Sequence, residues 1–148
     1  MIHEAVEALG NMNNYDSLKL LRKLEAEDSP HTAMVKETVE LARDLLRWNK
    51  ETNCGATEGI NLAKMRVRTN DPAPPFNYWQ KAEYRDVKNL TEMLLDTKLT
   101  AFERNRALFT LRELNTEESC IAICQTLLEE NFDRCSALLK HEVAFVLA

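Results

Sequence analysis

The chain has 148 residues, 45% of them hydrophobic and 7% aromatic, with a formal charge of −5 and a pI near 5.3. That length supports one domain, or two small ones sharing a linker, around a sizeable core. The acidic balance excludes a general attraction for nucleic acid or an anionic membrane, which needs a concentrated basic surface.

No apolar run approaches the roughly 20 residues of a bilayer span. Met1-Ile2 leads straight into charged residues and not into a signal peptide, so a cytoplasmic protein is expected. Few β-branched runs alternate with period two, and the expected class is all-α. The first helix is predicted from His3 to about Met12, stopped near Gly10 to Asn14 by residues that favour helix ends. Asp16 or Ser17 caps a second through Leu18, Leu20, Leu21 and Leu24, and Asp28-Ser29-Pro30-His31 breaks it. A third runs from about Thr32 to Lys50, with Val35, Val39, Ala42, Leu45 and Leu46 on one side.

Residues 52–85 hold two of the three glycines and three of the four prolines, and read as a linker between an arm at 1–51 and an arm at 86–148. The second arm resumes near Asp86, with Val87, Leu90, Met93 and Leu94 on one face. Thr100 and Glu103 form a capping box before the helix of Leu108 and Leu111. Thr116-Glu117-Glu118 starts another, expected to bury Ile121, Cys124, Leu127 and Leu128. Ser136 caps the last, whose stripe is Leu139, Val143, Val146 and Leu147. Cys54, Cys120, Cys124 and Cys135 lack the C-x-x-C spacing of a zinc ribbon and are expected to be reduced core residues.

The two ends of the chain share a design. His3-Glu4 is followed by Ala5, Ala8 and Leu9 at steps of two, five and six from the His; Val143, Val146 and Leu147 follow His141-Glu142 at the same steps. Lys36-Glu37 and Asn105-Arg106 occupy the same slot at spacings of roughly 33 to 36 residues, the period of stacked helical hairpins. Those two copies read as structural. On the last helix His141 lies nearly opposite the Leu139 stripe, between Leu138 and Phe145, so a second apolar side can line a recess. His31, after Pro30, reads as a loop residue. A neutral imidazole beside a carboxylate suits iron, manganese or zinc, but adjacent helical residues diverge by about 100°, so a second helix must complete any site.

Four segments carry a resemblance: His3-Glu4-Ala5-Val6-Glu7-Ala8-Leu9-Gly10, Asp71-Pro72-Ala73-Pro74-Pro75, Phe102-Glu103-Arg104-Asn105-Arg106-Ala107-Leu108-Phe109-Thr110-Leu111-Arg112, and Ser136-Ala137-Leu138-Leu139-Lys140-His141-Glu142-Val143. In this order they resemble the central part of a deoxyhypusine hydroxylase. The resemblance implies a HEAT-like α-solenoid of stacked antiparallel helix pairs in two arms, with a two-iron centre between them. It implies a monooxygenase that uses dioxygen to hydroxylate deoxyhypusine on one lysine of translation factor five-A, completing hypusine. His3-Glu4 is similar to the second pair of the front arm, where both residues bind iron. His141-Glu142 is similar to the first pair of the rear arm, with His141 on iron and Glu142 either an iron ligand or a contact to the cationic substrate. Family members carry four such pairs and this chain two. It is therefore expected alone to bind iron weakly and turn over little. The alternative is a non-catalytic helical-repeat scaffold that binds a protein.

Overall fold

A computed structural model describes residues 2–26, 33–52 and 72–148, with the Phe132 side chain excepted. His31 and residues 53–71, Cys54 among them, lie outside the described residues. The helices are α1 (Ile2–Asn11), α2 (Ser17–Ala26), α3 (Ala33–Glu51), α4 (Val87–Leu95), α5 (Ala101–Leu114), α6 (Glu117–Gln125), α7 (Glu129–Phe132) and α8 (Ala137–Leu147), with a 3₁₀ turn at Ala82–Arg85. No strand occurs among the described residues, as an all-α chain requires. No described helix is long and apolar enough to cross a membrane.

α3 organises the molecule because it is apolar on two sides. Val39, Ala42 and Leu46 pack with Val6 of α1 and Leu21 of α2. Leu41 and Leu45 turn the other way, onto Phe102 and Phe109 of α5 and Leu138 of α8. A third cluster joins α4, α5, α6 and α8 through Leu90, Leu94, Leu108, Leu111, Ile123, Leu139 and Val143. Burial of this apolar surface is the main stabilising term, at about 25 cal/mol per Å².

α1 continues through Gly10 to Asn11, and Asn13 at φ 51° ends the turn that follows. Gly10 therefore does not stop the helix. It lets α1 approach α3: a Cβ there would lie 2.9 Å from Ala42 Cβ and 3.0 Å from Ala42 Cα. The expected stripe of α6 also differs. Ile121 and Leu128 are about half exposed and Leu127 more than a third, and Cys120 and Cys124 are exposed. Ser119, Ala122, Ile123 and Thr126 are buried in their place. The helix ends at Gln125, so Leu127 and Leu128 are not on it, and the small side chains of the other face allow closer packing. Of the cysteines, Cys135 is the core residue expected.

The described part of the interhelical stretch begins as a buried strap, Pro72 to Asn77. Phe76 N donates to Thr110 Oγ1 at 2.8 Å. Arg106 donates to the Pro74 and Pro75 carbonyls at 3.1 and 3.3 Å and stacks over Phe76 with its guanidinium 4.3 Å from the ring centroid. The strap lies on α5, and Pro72 reaches the recess described next.

Candidate metal centre

α1 carries His3 in its first turn, and Val6 and Gly10, buried against α3, fix that helix. α8 carries His141. Its N-cap Ser136 accepts from Leu139 N at 3.1 Å, and Leu138, Leu139 and Val143 anchor it in the core. These two helices, from opposite ends of the chain, bring the imidazoles together. The ring centroids are 5.1 Å apart and the planes meet at 82°, edge to face.

Glu4 Oε1 lies 3.9 Å from His3 Nε2. One ligand atom each from His3, Glu4 and His141 fall within 4.8 Å of one another. Metal bonds of about 2.1 Å place donors no more than about 4.2 Å apart, so small side-chain rotations close the set on one ion. His3 Nε2 is buried and has no hydrogen-bond partner within the protein. An orphaned buried nitrogen costs about 1–3 kcal/mol, which a bound cation would remove. By donor type, spacing and this vacancy in hydrogen bonding, the residues fit one metal ion with mixed nitrogen and oxygen ligands.

Beside the rings is a recess of about 350 Å³ lined by Glu4, Glu7, Ala8, Pro72, His141, Glu142 and Phe145. Glu142 is buried, at 4% exposure, and is on the wall of this recess, outside the three-residue donor set. Phe145 is largely exposed. Three carboxylates around one opening favour a cation, and the Phe145, Pro72 and Ala8 surfaces offer an apolar wall. Glu7 was missed from sequence, though its place one turn after His3 puts it on the same face of α1. Pro72 carried no such signal, because the strap and Arg106 bring it here.

No protein-family model matches the chain. Curated relatives do. A Saccharomyces cerevisiae protein is 40% identical over 144 residues, 97% of this chain and 40% of the relative. One from Kluyveromyces lactis is 39% identical over 97% of this chain and 41% of its own length, and one from Drosophila pseudoobscura 38% identical over 98% and 42%. The family they share is deoxyhypusine hydroxylase. The solved structure of human deoxyhypusine hydroxylase in complex with glycerol matches with a TM-score of 0.74 at 36% identity, over 97% of this chain and 43% of that one. The chain thus resembles deoxyhypusine hydroxylase along almost all of its length, and its described residues, all helix and loop, share the fold of that structure. It spans about two fifths of the length of the relatives it matches.

Proposed function

We propose that this chain forms part of a cytoplasmic deoxyhypusine hydroxylase that uses iron and dioxygen to hydroxylate the deoxyhypusine side chain on a lysine of translation factor five-A. The observation that carries the reading is the meeting of His3 and His141, with Glu4 beside them, at the mouth of an acidic recess. His3, Glu4 and His141 would hold the metal. Iron, when bound, supplies the redox chemistry that activates dioxygen.

The protein's own groups have separable roles. The two neutral imidazoles offer lone pairs, and the Glu4 carboxylate offsets part of the ion's charge. Glu142 on the recess wall accepts hydrogen bonds from the cationic, polyamine-like side chain, and Glu7 adds to the attraction. Phe145 and Pro72 flank its methylenes and restrict water. Residues 1–51 form the front arm and 86–148 the rear arm, so the substrate side chain enters where the two meet. Three donors would hold one ion, and a two-iron centre would need further ligands besides them.

Anaerobic titration with ferrous iron tests the reading, using His141→Ala beside the unaltered chain. Loss of bound metal in the variant is expected. Unchanged metal content in H141A would overturn the assignment; if protein-partner binding were lost at the same time, the scaffold alternative would gain.

A further inference from the structure

One polar side-chain bond ties the helix of His141 to the helix on which α1 lies. Ser136 Oγ donates to Glu37 Oε1 of α3 at 2.7 Å, across 99 residues of sequence. The same oxygen accepts from Leu139 N at 3.1 Å, as the N-cap of α8. Ser136 is thereby held from both sides, by its own helix and by α3.

The turn before α8 has a second anchor. Arg104 of α5 donates from Nε to the Leu94 carbonyl at 2.8 Å and from Nη2 to the Arg134 carbonyl at 2.6 Å. Its guanidinium also acts on the Glu37 carboxylate. Apolar packing between α3 and α8, through Leu41 and Leu138, holds the helices together but is non-directional. The 2.7 Å hydrogen bond adds a directional constraint on where α8 begins.

The geometry can be followed from ring to ring. His3 stands on α1; α1 lies on α3, with Gly10 against Ala42; α3 holds Ser136 through Glu37; and α8 carries His141 about 7.5 Å further along its axis, at 1.5 Å per residue. A helix moves as a rigid rod over that distance, so a displacement of about 1 Å at Ser136 reaches His141 nearly undiminished. Metal sites tolerate only about 0.5 Å.

We propose that Glu37 is a positioning residue for the candidate metal centre: through Ser136 it sets where α8 begins on α3 and so keeps His141 edge-on to His3. The metal-binding part of this rests on the function proposed above. The positioning of the rings does not.

The test compares Glu37→Ala, which removes the acceptor, with Glu37→Gln, whose carboxamide oxygen can accept the same bond. Two readouts are used on the folded chain: the nuclear Overhauser contact between the His3 and His141 rings without metal, and the affinity for cobalt(II). In E37A the ring contact should disappear and cobalt affinity should fall about 10- to 100-fold, the range for residues that orient metal ligands. E37Q should keep the contact and bind within about threefold of the unaltered chain, within the usual context-dependent spread of single interactions. If E37A does not fold, Ser136→Gly replaces it, since glycine is a tolerated N-cap but has no hydroxyl to donate, and it should reproduce the loss. A retained ring contact in E37A, or in Ser136→Gly where that variant stands in for it, would overturn the proposal, as would an E37Q that loses the contact. Should the unaltered chain bind no cobalt, the metal reading fails, and the ring contact alone decides the role of Glu37.

Discussion

Glu37 and Asp44 are two carboxylates of α3 that folding makes harder to ionise. Burial raises Glu37 above its ordinary value of 4.5, against the Ser136 bond and the field of Arg104, with Glu40 adding to the rise. Burial likewise raises Asp44 above 3.8, against Arg43 and Arg47. A group whose folded pKa lies above its unfolded one binds its proton more tightly when folded, so its stabilising contribution is complete below the unfolded value. It is lost as pH rises through the folded value. Stability should therefore decline as pH rises from the ordinary carboxylate values through the raised ones. E37Q keeps the acceptor without the charge, so its urea midpoint at pH 7 should equal or exceed that of the unaltered chain, with a shallower decline from acid pH. A lower midpoint at pH 7 would show that the ionised carboxylate is needed for more than accepting the Ser136 bond.

At the level of the helix, capping chemistry was legible because it is local. Thr100 with Glu103, Thr116 and Ser136 all cap where their spacing placed them. Which side of a helix is buried was legible only where one stripe dominated. α6 offers two, and contact with α4 and α5 decided for the one with small residues. Gly10 shows the same limit: its composition reads as a stop, whereas its use depends on Ala42, which is distant in sequence. That dependence can be measured. Gly10→Ala puts a methyl 2.9 Å from Ala42 Cβ and 3.0 Å from backbone Cα, and backbone yields less readily than a flexible side-chain tip. α1 must lift from α3, and we expect a loss of about 1–3 kcal/mol in urea unfolding, the usual range for overpacking. Unchanged stability would mean that α1 is not held at that depth.

Across the whole molecule, the sequence spacing reads His3 and His141 as occupying equivalent slots, but residues read into that slot do not have equal surroundings. Asn105 in the same slot is 1% exposed, with its Nδ2 donating to the Ala101 carbonyl, while Lys36 is exposed. What brings the ring centroids to 5.1 Å is the packing of α1 and α8 on two different faces of α3, which no local pattern encodes. An ion held by His3, Glu4 and His141 would consequently bridge the two ends of the chain. Ligand that binds only the folded state stabilises it by RT ln(1 + [L]/Kd), about 2.7 kcal/mol at a hundredfold excess over Kd. Saturating metal should thus raise the Tm, a chelator should reverse the rise, and the titration should reach its plateau at one equivalent per chain. If both imidazoles serve one ion, as proposed, H3A and H141A should each remove most of the rise, and the double variant little more, the non-additivity expected of groups acting as a unit. Additive losses would place the two histidines at separate ions, and a plateau near two equivalents would require a second donor set within this chain.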